Sequence, residues 1–356
     1  MTNSFSISPD GLEKFNQFRF SAIETVTARF YSAFAAEYER FGAPGRKACR
    51  EDIEFHLEFL RPVLEFGLLQ PYTDYLSWLG EVLASRNIPS THLPQSLTWL
   101  GEFFLETIPG PDGQVIAKAL TIASTHLGLQ REPMPVSTLG NNEALEQHQS
   151  QLENALLQGD YRTAQTIINN LQDAGHSIIE IDVCLIQSAL YNIGEKWQNN
   201  LVSVAQEHLA TATAQTVMAN AFTRINLPPA NGQKALFACV EGNHHAVGLR
   251  MVSDAFELRG WDVQFLGANV PVRALLEHTN TWKPDLLGLS IAFPHQLNAA
   301  RETIKAIRER FGVGRPSVIL GGLAINRFQP LAASLGGDAY AQDAVSAFNY
   351  VLRTSD

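Results

Sequence analysis

The chain has 356 residues, of which 45% are hydrophobic, and this is enough for two or three domains that each bury a core. Its formal net charge of −10 argues against nucleic-acid binding, which depends on clustered lysine and arginine. Three scattered cysteines, no signal-peptide pattern and no apolar run of ~18 residues predict a cytoplasmic protein without disulfides, a zinc site or membrane contact.

Residues 1–135 predict an N-terminal helical domain. Amphipathic stretches alternate there with breaks at 42–45 and 109–111, which are rich in glycine and proline. The segment 132–140, with Pro133 and Pro135, is typical of a linker. The predicted helices cover 11–41, 46–69, 71–86 and 93–107.

Residues 141–228 predict a second helical domain, whose length fits a four-helix bundle. Ser203 and Gln206 have the spacing of a capping box. We therefore expect a helix to begin at Ser203 and to carry Glu207 and His208 just beyond its first turn. The preceding helix is expected to end near Trp197, and the segment 227–232 interrupts the chain afterwards.

Residues 234–356 predict an α/β domain. Short apolar runs alternate with helix-length amphipathic stretches, which is the pattern of a parallel sheet with crossover helices. The predicted strands are 235–240, 263–266, 286–291, 318–320 and 339–341. The predicted fold class is thus α plus α/β: an N-terminal helical domain, a four-helix bundle, and a doubly wound, flavodoxin-like parallel sheet.

Polar residues and glycines follow the ends of three of these strands, where a doubly wound sheet binds its ligands. A neutral histidine on the loop after the first strand can coordinate a metal ion. Glycines after the later strands lack a Cβ and permit the close approach of a ligand. The residues concerned are Asn243, His245, Gly248, Ser290, Gly321 and Gly322.

In order and spacing, these residues resemble the D-x-H-x-x-G, S-x-L and G-G signature of domains that bind cobalamin base-off. The resemblance implies that His245 is the lower cobalt ligand, with His244 as a rival one position away. Asn243 stands where the family has aspartate, which implies a neutral partner for the imidazole and a weaker electron donor. Ala292 replaces the leucine of the signature, which we interpret as a packing change.

The stretch from Trp197 to His208 resembles the W-x(9)-E-H pattern of light-sensing cobalamin-binding repressors of the CarH type. That resemblance covers roughly 141–356. It implies that Trp197 packs over the adenosyl group of adenosylcobalamin, that Val204 lines its pocket and that Glu207 accepts hydrogen bonds from its ribose. Core packing and a favourable charge near a helix start explain the same residue types without a ligand. Gln198 stands where those repressors have a histidine that binds cobalt after photolysis, which implies that the photoproduct carries water or another ligand there, with His208 as one candidate.

The N-terminal region lacks the basic winged helix of those repressors and resembles the arrangement in photocobilins, cobalamin photoreceptors that also bind biliverdin. Arg46 and Arg50 lie four residues apart on one predicted helix, with Lys47 and His56 nearby, and can hold the propionates of a tetrapyrrole. A solvated basic face is an equally good interpretation of this cluster. Cys49 is interpreted as a small buried residue rather than a thioether anchor.

These resemblances predict a cobalamin-binding light sensor that is not an enzyme. Photolysis of adenosylcobalamin would change the helical cap and the contacts of a homo-oligomer or of a signalling partner, with biliverdin as a second chromophore. The alternative is a corrinoid carrier for a methyltransferase system; it needs an open upper face, so Trp197 and Glu207 favour the sensor. A mutase subunit is a third hypothesis, but its substrate barrel needs ~250 residues, more than the N-terminal region has.

Overall fold

A computed structural model describes residues 5–127, 143–347 and 349 of the chain. The chain divides into two units, Met1–Glu132 and Pro133–Asp356. The linker predicted at 132–140 lies outside the described residues. Of the helices that are described, none combines the length and the apolar character needed to cross a bilayer.

The first unit is built from helices whose apolar faces pack together. Ser8 begins the first helix by accepting a hydrogen bond from the Gly11 N–H at 2.9 Å. Phe15, Leu57 and Phe104 are fully buried between the helices and form part of the core. The helices are α1 (Pro9–Ala33), α2 (Ala35–Tyr38), α3 (Gly42–Phe66), α4 (Gln70–Ser85), α5 (His92–Thr107) and α6 (Pro111–Thr125).

Two predicted helix boundaries in this unit were wrong. The helix predicted at 11–41 ends at Ala33, because Phe34 leaves the helical conformation with φ −119° and ψ 28°. The break predicted at 42–45 is instead the first turn of α3. Pro44 is tolerated there because the first turn of a helix has no use for its missing N–H.

The second unit begins with helices that form the predicted four-helix bundle. Leu152, Ile168, Leu185 and Ala214 lie in its core. The third helix of the bundle is continuous but contains a π-helical segment, Ile181–Ile186, which the sequence did not indicate. A short helix α7 (Glu143–Glu146) precedes the bundle, which consists of α8 (Gln149–Leu157), α9 (Tyr161–Asp173), α10 (Ile178–Glu180) continuing into α11 (Gln187–Gln198), and α12 (Val204–Phe222).

The rest of the second unit is the predicted doubly wound sheet. All its strand pairs are parallel, and the strand order is β2-β1-β3-β4-β5. The winding reverses between β1 and β3, which is where such sheets bind ligands. The strands are β1 (Lys234–Val240), β2 (Asp262–Val270), β3 (Leu286–Ser290), β4 (Ser317–Gly321) and β5 (Ala339–Tyr340), and the helices are α13 (Val247–Glu257), α14 (Val272–Trp282), α15 (Leu297–Phe311), α16 (Leu323–Arg327) and α17 (Pro330–Leu335).

The strand register aligns the ends of β1, β3 and β4. Cys239 is the neighbour of Ser290, and Ser290 is the neighbour of Gly321. The loops after these strands therefore leave the sheet side by side. Helix α13 leads from the first of them to the bundle, where Met251 joins the bundle core and Ala255 packs against Val183.

Candidate functional site

His245 lies on the loop between β1 and α13. Gly242 turns the chain out of β1 with a φ of +81°, a conformation that favours glycine. The His245 ring meets the ring of Phe293 edge-on, with centroids 5.0 Å apart and an interplanar angle of 86°. The residue is exposed, but neighbouring protein atoms still desolvate the ring and lower the pKa of His245; Glu207 opposes this shift and His244 adds to it. At neutral pH the imidazole is therefore neutral and can offer a lone pair to a metal ion.

Asn243 is fully buried beneath this loop and fixes its backbone. Its Oδ1 accepts a hydrogen bond from the His245 N–H at 2.9 Å, and its Nδ2 donates to the Ser290 carbonyl oxygen at 2.9 Å. The expected contact of Asn243 with the imidazole is thus replaced by a contact with the His245 backbone. The reason is geometric, since both ends of the amide are used to tie the loop to β3.

The remaining signature residues differ in what they contact. Ser290 is buried, and its Oγ lies 3.5 Å from the Asn243 Nδ2, so it holds the histidine loop in place. Gly322 has a φ of +93°, and a Cβ there would lie 2.4 Å from the Ile291 carbonyl oxygen. A Cβ on Gly321 would lie 3.1 Å from the Ala341 carbonyl oxygen, whereas a Cβ on Gly248 would meet, among the described residues, no atom within 4 Å beyond its chain neighbours and its own helix backbone. Packing therefore explains Gly322, and the space beside Gly248 is open.

Three residues that the sequence analysis missed connect the loops. Gln296 is buried, donates from Nε2 to the Gly242 carbonyl oxygen at 3.0 Å, and accepts from the Phe293 N–H at 3.1 Å. Asn269, in a left-handed conformation at the end of β2, accepts from the Gly242 N–H at 2.8 Å. Phe293 supplies the ring beside His245. No motif marks these residues, because each acts on a loop distant in sequence.

The predicted start of α12 is confirmed, and it brings Glu207 towards the histidine loop. Ser203 accepts from the Gln206 N–H at 3.2 Å, and Gln206 Oε1 accepts from the Ser203 N–H at 2.9 Å, which is a capping box. The charge of Glu207 raises the pKa of His245 and so acts against the effect of desolvation, which places the carboxylate within electrostatic reach of the loop. The side chain of Glu207 is 29% exposed and that of His208 75%.

The other residues predicted above the site lie around the same end of the bundle. Trp197 is half-buried in the last turn of α11, and the next residue, Gln198, is buried. Val204 is 54% exposed in the first turn of α12, and Leu201 before it is 73% exposed. This end of the bundle therefore presents apolar side chains together with one carboxylate, a combination that suits a ligand with an apolar body and hydroxyl groups.

The basic cluster predicted on α3 is only partly a surface cluster. The Arg46 guanidinium lies 5.3 Å from the centre of the Tyr31 ring, and Arg50 Nε lies 2.6 Å from Glu24 Oε1. His56 is not part of this face, because it is buried and its Nδ1 lies 3.0 Å from the Tyr75 hydroxyl. Cys49 is half-buried, and desolvation raises the pKa of its thiol to about 12. It is an unreactive thiol, as expected for a packing residue.

Comparison with known proteins identifies both parts of the second unit. Residues 233–349 match the family model "B12 binding domain", and residues 149–221 match a second model of the same description. The chain therefore contains a cobalamin-binding module, as the signature predicted. The observed fold, an N-terminal helical region followed by a bundle and a five-stranded parallel sheet, also confirms the predicted fold class.

The similar proteins fall into two groups. The HTH-type transcriptional repressor CarA of Myxococcus xanthus is 31% identical over 142 residues, which is 40% of this chain and 48% of that protein. Dimethylamine corrinoid protein 3 of Methanosarcina acetivorans is 30% identical over 123 residues, 33% of this chain and 57% of that protein. The chain thus spans about half the length of the curated relatives it matches. The solved monomethylamine corrinoid protein of Methanosarcina barkeri aligns with 17% identity and a TM-score of 0.49, over 59% of this chain and 99% of that one.

Proposed function

We propose that the cobalamin-binding module makes this protein a light sensor rather than an enzyme. The observation that carries the proposal is the placement of Glu207, at the start of α12, close enough to His245 to act on its pKa. The charge of one carboxylate of the bundle thus reaches the candidate lower ligand. Adenosylcobalamin, the proposed cofactor, would supply a cobalt–carbon bond that visible light breaks.

The residues of the site fit this cofactor. His245 offers a neutral imidazole, and the open space beside Gly248 leaves room for a ligand where a side chain would intrude. On the bundle side, the exposed Val204 gives an apolar surface and Glu207 gives hydrogen-bond acceptors for ribose hydroxyls. Trp197 would cover the adenine. The lower side would be completed by His244, Asn243, Ser290, Gly321 and Gly322.

The response to light would start at Glu207. In the structure its Oε2 lies 2.5 Å from the His208 Nδ1, and its Oε1 accepts from the Thr211 hydroxyl at 3.0 Å. Contacts of Glu207 with an upper ligand would compete with these bonds, and their loss would return the carboxylate to His208 and Thr211. We propose that this exchange shifts α12 between two states and changes the contacts of a homo-oligomer or of a signalling partner. His208, three-quarters exposed, is the candidate for cobalt coordination after light.

A corrinoid carrier is the second candidate function, and it is supported by the similarity to dimethylamine corrinoid proteins. A carrier presents its upper face to partner enzymes. The exposed side chains of Leu201 and Val204 fit such a face as well as they fit a cap. The two functions differ in their choice of upper ligand, since only a sensor needs contacts with an adenosyl group.

We further propose that the first unit holds a second chromophore, a linear tetrapyrrole such as biliverdin. Exposed Arg46 on α3 offers a guanidinium for a propionate. Arg50 contributes less to this proposal, because it is already paired with Glu24 at 2.6 Å and lies 3.7 Å from Glu54.

Reconstitution with adenosylcobalamin tests the proposed function. We expect the protein bound in the dark to show the absorption of a histidine-coordinated, base-off cofactor, and green light to change that spectrum. His245→Ala should remove the histidine-bound form while His244→Ala keeps it. A spectrum that His245→Ala leaves unchanged would disprove the assignment, and a spectrum insensitive to light would favour the carrier.

A further inference from the structure

The amide of Asn243 has a fixed orientation that an aspartate could not reproduce. Its oxygen faces the His245 N–H, a donor, and its nitrogen faces the Ser290 carbonyl oxygen, an acceptor, each at 2.9 Å. An aspartate in the same place would set a carboxylate oxygen against that carbonyl oxygen, with no water to separate them, because the position is fully buried. Asn243 is therefore a clamp for the loop backbone.

With Asn243 engaged in this way, the His245 ring is oriented by another neighbour. The ring packs edge-on against Phe293, with centroids 5.0 Å apart. Phe293 is itself flanked by the stacked ring of His295 at 5.7 Å and an interplanar angle of 16°. Edge-to-face contacts of this kind restrict the rotation of a ring about its Cβ.

Phe293 is also fixed through its backbone to the loop that carries His245. Its N–H donates to the Gln296 Oε1 at 3.1 Å, and the Gln296 Nε2 donates to the Gly242 carbonyl oxygen at 3.0 Å. Gln296 is buried, and both of its hydrogen bonds are partly buried. Hydrogen bonds through Gln296 therefore join the loops after β1 and β3, and the Phe293 ring and the His245 imidazole pack together on these two connected loops.

We propose that Phe293 is the positioning residue for the lower cobalt ligand: it holds the His245 ring in place for coordination, while Asn243 fixes the backbone of the same loop. The proposal rests on the proposed cobalamin site and adds to it the means by which the imidazole is oriented. The proposal implies that the hydrogen bonds of Asn243 suit this arrangement of the two loops. An aspartate at position 243 would weaken the arrangement.

The test uses cob(II)alamin bound to protein whose histidines carry 15N. In its paramagnetic resonance a coordinated protein imidazole then gives a two-line splitting, whereas the cofactor's own dimethylbenzimidazole, with 14N, gives a three-line splitting. We expect Phe293→Leu to bind the corrin and yet reduce the histidine-coordinated fraction relative to the free fraction by about 3- to 10-fold, the value of an aromatic pair. Phe293→Tyr, which keeps an aromatic ring, should keep the histidine-coordinated fraction of the wild type. Phe20→Leu, on an exposed phenylalanine of the first unit, is the control and should change nothing.

The outcomes separate this inference from the proposed function. If the wild-type protein shows no two-line splitting from a 15N-labelled histidine, the cobalamin site itself is wrong. If the wild type shows the splitting and Phe293→Leu keeps it in full, the positioning role of Phe293 is wrong. Phe293→Met, which fills a similar volume without a ring, gives the same comparison should the leucine variant not fold. Asn243→Asp should lower both the thermal stability and the coordinated fraction; an increase in that fraction would refute the clamp.

Discussion

The carboxylate of Glu207 is held at both oxygens by its own helix, with Oε2 2.5 Å from the His208 Nδ1 and Oε1 accepting from the Thr211 hydroxyl at 3.0 Å. The two contacts fix the carboxylate at a place from which its charge still acts on His245. A hydroxyl-bearing upper ligand would have to compete with these two contacts to bind the carboxylate.

The first prediction follows from this arrangement. Replacing Glu207 or Trp197 by alanine should weaken adenosylcobalamin binding about 10-fold or more, since a hydrogen bond to a charged group is worth roughly 1.5–3 kcal/mol. Methylcobalamin has no adenosyl group on its upper face, so its Kd should change by less than about 2-fold. Titrations in the dark measure the Kd of adenosylcobalamin and that of methylcobalamin. Thr211→Val is the control for the contact within the helix, and equal losses for both ligands would support the carrier.

The second prediction separates two glycines of the same signature. Gly248→Val should fold with a free energy of unfolding within about 1 kcal/mol of the wild type, because its Cβ would meet no atom of the described residues within 4 Å beyond its own helix backbone and chain neighbours. Gly322→Ala should be strongly destabilised, because its φ is +93° and its Cβ would lie 2.4 Å from the Ile291 carbonyl oxygen.

Thermal denaturation and cobalamin titration of the two variants check this contrast. Gly248→Val should lose cobalamin affinity while keeping its melting temperature. A Gly248→Val variant that binds cobalamin normally would show that the open space beside Gly248 is not part of the site.

The sequence predicted the features that depend on residues close together in the chain. The strands could be predicted because each is a short apolar run, and the capping box at Ser203 because its partners are three residues apart. The role of Asn243 could not, because its partner Ser290 is 47 residues away and the resemblance suggested a different contact. His56 was expected at the surface, but its pairing with Tyr75 on the next helix allows its burial.

The third prediction concerns the buried contact between the bundle and α13. Asp182, on the π-helical segment, is 2% exposed, and its Oδ1 has no hydrogen-bond partner among the described residues. Burial raises its pKa well above the usual value, and the charge of Asp254 raises it further, while Arg250 opposes the shift. Burial also raises the pKa of Asp254 to about 6, although Arg250 Nε lies 2.6 Å from its carboxylate.

When folding raises the pKa of a carboxyl group, the folded protein is more stable at a pH where that group is protonated than at a pH where it is ionised. The unfolded chain releases this proton near pH 4, so stability should be full below that pH and fall as the pH rises towards the raised pKa. Asp182→Asn has no carboxyl group to titrate, so its stability should not fall in this way as the pH rises. We expect the variant to be about 1–3 kcal/mol more stable than the wild type at pH 8, with a smaller difference at pH 5. Urea denaturation at both pH values measures this, with Asp262→Asn, an exposed aspartate, as the control. A destabilised Asp182→Asn at pH 8 would mean that the carboxylate is charged and paired in the folded protein.

The last prediction concerns the first unit. Biliverdin added to the purified protein should give a shifted red absorption band, because a tetrapyrrole held in one conformation absorbs differently from the free molecule. Arg46→Ala should weaken binding about 10-fold, the value of one charge-assisted contact to a propionate. Arg50→Ala should weaken it less, since Glu24 already holds that guanidinium at 2.6 Å, and Glu24→Gln should strengthen binding by releasing it. Lys47→Ala, on the same helix and 3.5 Å from Glu51, is the matched control.

A fragment that begins at residue 133, the start of the second unit, should keep cobalamin and lose the red band. If the full-length protein gives no band, the first unit holds no bilin, and a role in dimerisation or partner docking becomes the better hypothesis.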